Sequence, residues 1–226
     1  MVYYPGSGLM SGLRELLKTG QFSDFIIKCG AREFKVHKML LCSQSAYFRA
    51  AMGGDFKEAH TNMITLTEPE NIVEGLIQYF YQCTWDESVR GDTPKALFCV
   101  QIYQVADKYD VPHLRTLATN RFKISCETTL LNVPAFVEAI YAIDECCNPE
   151  DRTLWDIVMP ILKSNMVPLL EHEEFRAMIK DKDELNFELL RLLASDKKEE
   201  ADGGRKSGGE KLPPTQNFSA ISLRPR

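Results

Sequence analysis

The residues that could carry chemistry in this sequence are its histidines, cysteines and paired carboxylates. Four histidines are scattered along the chain, at positions 37, 60, 113 and 172. His37 stands where a strand pattern changes to a helical one, and a structural hydrogen bond explains it better than catalysis. Cys146-Cys147 is an adjacent thiol pair, but no second pair follows at the spacing of a four-ligand zinc site. The pairs Glu173-Glu174 and Glu199-Glu200 are most simply solvated faces. We therefore expect no metal and no cofactor.

The sequence contains none of the glycine motifs that hold a nucleotide or expose a nucleophile. It has no nucleophile elbow, phosphate-binding loop or dinucleotide pattern, and its longest glycine cluster lies in residues 203–209. No cleft-forming motif accompanies the paired carboxylates, so glycosidase chemistry has no support. We expect that the chain is not an enzyme. The weaker alternative, an enzyme carried by residues 127–195, would need titratable residues clustered in a concave pocket.

Composition and charge limit the kinds of partner. The chain has 226 residues, 44% of them hydrophobic, and a net charge of −5. Residues 196–226 hold seven Lys or Arg and five Asp or Glu, so the rest of the chain is acidic, which argues against direct nucleic-acid binding. Seven cysteines without a framework spacing indicate free thiols in a reducing compartment, the cytoplasm or nucleus. We expect no signal peptide and no membrane span.

The elements that position the remaining candidates begin in residues 22–52. Phe25-Ile26-Ile27 is a short β-branched and aromatic run, and Gly30 belongs to a turn. Residues 33–36 then alternate polar and apolar, which is typical of a half-buried strand. From residue 37 the apolar spacing becomes helical, and Ser43 or Ser45 can cap the second of two short helices. The stretch predicts strand, turn, strand, helix and helix.

This stretch resembles the BTB/POZ domain. The matched pattern is Asp24 with the apolar run after it, Phe34-x-Val36-His37-Lys38-x-Leu40-Leu41, and Ser45-x-Tyr47-Phe48. The resemblance continues through Ile64-Thr65-Leu66, the helix 76–81 and residues 105–114, so it covers roughly residues 10–125. It implies an α+β fold of the BTB/POZ (Skp1-like) type, with a small, mostly three-stranded sheet flanked by helices. It also implies a protein-interaction domain without catalysis.

The resemblance divides the chain into four parts. Residues 1–21 form a leading segment with an amphipathic helix, residues 22–125 the BTB/POZ domain, residues 126–195 an all-α extension, and residues 196–226 a disordered tail. The extension resembles the arrangement in fungal BTB proteins. One departure from the family is local: Gln82-Cys83-Thr84-Trp85 lacks the glycine that usually follows the preceding helix.

Two sets of residues bear on self-association. Four leucines at helical spacing form one face of the leading helix: Leu9, Leu13, Leu16 and Leu17. This face either packs on its own domain or contributes to a homodimer interface, as in related BTB domains. The resemblance further implies that Asp24 and Lys38 pair in a charged pocket at that interface. The alternative is that Asp24 caps local backbone N–H groups.

A third set bears on a second partner. Cullin adaptors with a BTB domain carry a hydrophobic-x-Glu motif in the loop after the second helix, and Phe56-x-Glu58 matches it in type and place. The alternative is an ordinary loop with Phe56 in the core. The resemblance therefore implies a self-associating module with two alternative roles. It is either a substrate adaptor for a cullin-RING ubiquitin ligase with an unknown client protein, or a scaffold in transcription or signalling that needs no cullin.

Overall fold

The computed structural model describes residues 7–129, 132–146, 150–183, 185–191 and 194. The chain divides into two compact units, residues 1–181 and residues 182–226. In the first unit the elements up to the third strand are α1 (Ser7–Thr19), β1 (Phe25–Cys29), β2 (Arg32–Val36), α2 (Lys38–Gln44), α3 (Ala46–Gly53), α4 (Lys57–Thr61) and β3 (Met63–Leu66). The later elements are α5 (Glu70–Gln82), a 3₁₀ turn (Glu87–Arg90), α6 (Lys95–Lys108), α7 (Pro112–Thr129), α8 (Val133–Cys146), α9 (Trp155–Ser164), α10 (Met166–Leu169) and α11 (Glu173–Asp181).

The three strands form one sheet in the order β2-β1-β3. Strands β1 and β2 are antiparallel, with Phe25 opposite Val36, and Gly30 takes a φ of 55° in the tight turn between them. Strand β3 runs parallel to β1, with Ile27 opposite Ile64. In β2, Glu33 and Lys35 are exposed while Phe34 is half-buried and Val36 is buried, as the alternation over residues 33–36 predicts. A small three-stranded sheet with flanking helices is the α+β architecture that the resemblance implies.

Ser45 caps the second helix of the pair α2–α3. Its hydroxyl accepts a hydrogen bond from the backbone N–H of Phe48 at 3.0 Å and donates to the carbonyl of Tyr109 at 2.6 Å. Ser43, the other cap candidate, donates instead to the carbonyl of Leu40. One buried hydroxyl therefore both starts α3 and ties it to the end of α6, which explains why a polar residue is tolerated in the core.

The turn after α5 forms without glycine. Cys83 occupies the left-handed region at φ 53° and ψ 21°, and its N–H donates to the carbonyl of Tyr79 at 2.8 Å. Trp85 then packs into the core against Phe98, as expected for a packing residue. The guanidinium of Arg121 on α7 lies 3.9 Å from the Trp85 ring centroid. The departure from the family sequence therefore leaves the turn intact.

Most described residues of the predicted extension are helical, and they are bound to the helices that precede them. Gln104 on α6 donates from its side-chain amide to the carbonyl of Ala142 on α8 at 2.9 Å. Ahead of α9, one oxygen of Asp151 accepts from Tyr103 at 2.5 Å and from Arg115 at 3.0 Å. Arg115 also donates to the Tyr103 hydroxyl at 2.8 Å. These three partly buried side chains, Tyr103, Arg115 and Asp151, join α6 and α7 to the segment just before α9.

Two expectations fall partly or wholly outside the described residues. The predicted tail, residues 196–226, lies outside them, and so do residues 192 and 193 of the last predicted helix, of which residues 185–191 are helical.

Among the described residues, no helix is both long enough and apolar enough to cross a membrane.

Candidate protein-interaction surfaces

The leading helix α1 lies against α5 of the same chain. Leu13, Leu16 and Leu17 are half-buried, and Arg14 donates to the side-chain oxygen of Gln82 at 3.1 Å. Leu9 stays 68% exposed. Packing on its own domain therefore covers the C-terminal part of the leucine face and leaves its N-terminal part open.

Asp24 and Lys38 are joined through the backbone of Lys38. An Asp24 carboxylate oxygen accepts from the Lys38 N–H at 2.8 Å, at the first residue of α2. The Lys38 ammonium donates instead to the side-chain oxygen of Asn62 at 2.6 Å. Asp24 thus supplies the cap that His37, in the residue before α2, does not supply with its own side chain. The charged pocket between two copies remains a prediction.

His37 has the structural role expected of it. Its Nε2 lies 2.8 Å from the carbonyl of Gln21, and its Nδ1 lies 2.6 Å from the hydroxyl of Tyr81. A carbonyl only accepts, so Nε2 carries the proton and Nδ1 accepts from Tyr81. The Tyr81 hydroxyl in turn accepts from the His37 backbone N–H at 3.0 Å. Burial raises the pKa of Tyr81 to about 12, so it stays a donor at physiological pH.

Two exposed apolar residues beside this network were not singled out from the sequence. Phe22 is 79% exposed and has a φ of 61°, which is rare for an aromatic residue. Met39 is 74% exposed, directly after Lys38. Met39 belongs to an apolar run with Leu40 and Leu41, which by itself predicts burial. The positive φ at Phe22 has no signal in the sequence apart from the nearby Gly20, which also has a positive φ.

Phe56 and Glu58 lie at the start of α4. Phe56 is the residue before the helix and is 59% exposed, so the alternative in which it is tucked into the core does not hold. Glu58 is half-buried in the first helical turn. The Phe56 ring lies close to Gly54: a Cβ added at Gly54 would be 3.2 Å from the ring and 3.1 Å from the carbonyl oxygen of Ala50. The absence of a side chain at Gly54 therefore leaves room for the ring in this position.

The Glu68 carboxylate, which follows β3, has a structural role through its hydrogen bonds to the end of α6. Glu68 accepts from both Lys108 and Tyr109, and its side chain is 12% exposed. Burial favours a higher pKa for Glu68, but these hydrogen bonds outweigh it and hold the pKa below its usual range. Burial and the Glu68 carboxylate together raise the pKa of Tyr109. The Glu68 carboxylate is therefore a largely buried anion that is paired with the Lys108 ammonium.

In the part of the chain that the structure describes, the metal-ligand residue types form no metal centre, and two buried thiols, Cys29 and Cys99, are poorly reactive. No group of three or more His, Cys, Asp or Glu there is placed to hold a metal ion. Burial raises the pKa of Cys99 to about 12 and also raises the pKa of Cys29. Such thiols stay protonated and are poor nucleophiles.

The sheet order and the helices around it agree with the family that the sequence resembles, and a comparison with known families decides the matter. The family profile of the BTB/POZ domain matches residues 13–125, half of the chain. The chain belongs to the BTB/POZ family. The domain is a protein-interaction module, and its surfaces rather than a catalytic pocket are therefore where its function is sought.

Individual relatives match parts of the chain at low sequence identity. Kelch-like protein 41a of Danio rerio is 29% identical over 116 residues, which is 50% of this chain and 18% of that protein. BTB/POZ and MATH domain-containing protein 5 of Arabidopsis thaliana is 24% identical over 222 residues, 93% of this chain and 51% of that protein. The chain thus spans about half, or less, of the curated relatives it matches. The solved BTB domain of zebrafish PATZ1 aligns with a TM-score of 0.42 at 14% identity, covering 54% of this chain and 97% of that domain.

Proposed function

We propose that this BTB protein is a self-associating adaptor that binds a cullin and brings a client protein to a ubiquitin-transfer machine. It supplies binding energy and geometry, and no active site of its own. The observation that carries the proposal is the exposure of Phe56 at the start of α4 with Glu58 in the next turn. That placement fits the hydrophobic-x-Glu motif of BTB cullin adaptors.

The Phe56 side chain has the properties of an interface anchor. It is aromatic and 59% exposed, so a partner can bury the exposed part of its ring. Burying a large apolar side chain contributes roughly 1.5–3 kcal/mol, and a few such anchors dominate most interfaces. Because Gly54 supports the ring from below, less side-chain freedom is lost on binding.

Self-association is the second part of the proposal. Three exposed apolar side chains lie on or next to the segments that the resemblance assigns to the dimer: Leu9 on α1, Phe22 before β1 and Met39 on α2. A second copy of the chain would cover them. The proposal places this assembly in the cytoplasm or nucleus, and the free state of Cys29, Cys42, Cys83, Cys99 and Cys126 supports a reducing compartment.

Capture of the cullin N-terminal region by the immobilised full chain tests the cullin part. We expect Phe56→Ala/Glu58→Ala to abolish capture. The matched control, Ile124→Ala/Glu138→Ala, removes one exposed apolar side chain and one exposed carboxylate elsewhere and should capture like wild type. If wild type captures no cullin, the alternative stands: a BTB scaffold in transcription or signalling that acts without one.

Light scattering at several concentrations tests self-association separately. We expect the mass of a dimer that dissociates on dilution, and a weaker dimer for Phe22→Ser. A strict monomer at every concentration would remove this part of the proposal and make the leucine face of α1 an internal packing surface.

A further inference from the structure

The corner between α10 and α11 in the extension is held in place by its own backbone. Leu169 is only 2% exposed, so its buried side chain anchors the corner in the protein interior. The N–H of Leu170 donates to the carbonyl of Met166 at 3.0 Å. The guanidinium of Arg176, one turn further on, donates to the carbonyl of Leu170 at 2.8 Å. The backbone that follows α10 is therefore fixed by both a helical bond and a side chain.

Two apolar side chains point away from this fixed corner. Val167 is 75% exposed and Leu170 is 43% exposed. They are three residues apart in a helical turn, so they lie on the same side of it. Single exposed apolar residues are ordinary on a protein surface, but two neighbours on a rigid turn, next to the exposed Pro168, form a continuous apolar face.

The rim of this face is acidic. Glu171 is exposed four residues after Val167, and Glu173 and Glu174 are exposed in the first turn of α11. The last two also stabilise the positive end of that helix, whereas Glu171 lies before it and has no such role. Arg176 keeps its positive charge while its guanidinium donates to the Leu170 carbonyl. The rim stays net negative, because three exposed carboxylates, those of Glu171, Glu173 and Glu174, face this one cation.

We propose that the corner face, formed by Val167, Leu170 and Glu171 with Glu174 at its rim, docks the client. The client segment that fits it carries apolar side chains flanked by Lys or Arg, because an apolar centre with an acidic rim is complementary to that pattern. The inference rests on the proposed adaptor function and names its client-binding surface.

A synthetic helical peptide tests the inference on the full-length chain. The probe carries leucines along one face and lysines elsewhere, with a fluorescent label for anisotropy titration, and its twin carries glutamates in place of the lysines. We expect the lysine peptide to bind and the glutamate peptide to bind at least about tenfold more weakly. Val167→Ser/Leu170→Ser should weaken the lysine peptide about tenfold, the loss of roughly one anchor.

Charge reversal separates this site from general attraction to an acidic protein. Glu171→Lys/Glu174→Lys should lose the lysine peptide and gain the glutamate peptide. Ile124→Ser, which removes an equally exposed apolar side chain from α7, should change neither. If Ile124→Ser weakens the lysine peptide as much as Val167→Ser/Leu170→Ser does, or if charge reversal leaves the preference unchanged, the corner face is not the site.

Two further readouts separate the possible failures. If Val167→Ser/Leu170→Ser turns a dimer into a monomer in light scattering, a second copy occupies the face and the client proposal is wrong. The same variant should capture the cullin region like wild type, because Phe56 is untouched. Peptide binding that depends on the corner face, together with no cullin capture by wild type, would refute the adaptor function and keep the docking site.

Discussion

Removing the hydroxyl of Tyr81 tests whether the His37 network holds the BTB core together. The hydroxyl accepts from the His37 N–H at 3.0 Å and hydrogen bonds to His37 Nδ1 at 2.6 Å. Tyr81→Phe keeps the ring and its edge-on contact with the imidazole, but it leaves both His37 groups without these partners. The variant therefore isolates the hydrogen bonds from the packing.

The expected cost follows from the burial of the site. Tyr81 is fully buried, so water does not readily replace its hydroxyl. An unpaired, largely buried polar group costs roughly 1–3 kcal/mol, and His37 is half-buried and can be partly rehydrated. We expect Tyr81→Phe to lower the free energy of unfolding by about 2 kcal/mol. For a chain of this size that corresponds to a fall in Tm of roughly 4–8 °C.

Urea unfolding at neutral pH, followed by circular dichroism, measures this loss. The matched control is Tyr79→Phe, because Tyr79 is buried on the same helix and its hydroxyl makes none of the hydrogen bonds found among the described residues. We expect that control to change stability by less than about 0.5 kcal/mol. If Tyr81→Phe costs no more than Tyr79→Phe, the network does not stabilise the fold and the reasoning is refuted.

The same pair of proteins should respond differently to alkaline pH. The pKa of Tyr81 is raised from 10 to about 12 in the folded chain, chiefly by burial. Above pH 10 the unfolded tyrosine ionises while the folded one stays protonated, so wild type loses stability as the pH rises toward 12. Tyr81→Phe lacks this loss. The difference between the two should therefore narrow between pH 10 and 12, and a constant difference would contradict the assignment.

Three further substitutions follow from the geometry. Cys83→Gly should raise the free energy of unfolding by about 0.5–1 kcal/mol, measured in urea, because glycine takes the left-handed conformation without the usual cost of a side chain. Glu68→Gln should lower stability by about 1–2 kcal/mol at neutral pH and flatten its loss below about pH 4.5, since the depressed carboxyl pKa makes wild type lose stability as pH falls. Gly54→Ala should weaken cullin capture by displacing the Phe56 ring, whereas Gly53→Ala, with open space around the new Cβ, should not.

Each of these has an outcome that would contradict it. A Cys83→Gly variant less stable than wild type would mean that the left-handed turn carries no strain. Equal acid sensitivity of Glu68→Gln and wild type, in urea midpoints from pH 3 to 7, would remove the role of that carboxylate in acid unfolding. If Gly54→Ala captures the cullin region as well as wild type does, the Phe56 ring adjusts to the added methyl group and its position does not depend on Gly54.

The elements of the fold were predictable because their signals are local. The apolar run of β1, the alternation in β2 and the change to helical spacing after His37 can be seen in consecutive side chains. The structure has strands at Phe25–Cys29 and Arg32–Val36. The cap was predicted only as a choice between two serines. The choice of Ser45 depends on the Tyr109 carbonyl, which is distant in sequence and near only in the folded chain.

The surfaces were less predictable because exposure is decided by tertiary packing. Phe22 is a large aromatic residue and Met39 belongs to an apolar run with Leu40 and Leu41, yet both face outward. The contact of Asp24 with the Lys38 backbone, and not with its ammonium, depends on the position of Asn62 after α4. Cys83 at a positive φ carries no mark in its residue type. Phe56 lies between α3 and α4, in the loop to which the motif was matched, and its contact with a cullin stays a prediction.

Three of the side chains proposed for binding, Phe22, Phe56 and Leu170, are presented from backbone that a hydrogen bond or a close contact holds in place. Phe22 follows Gln21, whose carbonyl His37 holds, and Leu170 has its own carbonyl held by Arg176. Phe56 rests on a glycine at the end of α3. A side chain presented from fixed backbone loses less conformational entropy on binding than one on a free segment, so more of its burial energy becomes affinity. Exposed apolar side chains have an unfavourable hydration free energy in the isolated chain. A partner that buries them recovers this free energy, and it recovers more of it as affinity when the backbone that presents them is already fixed.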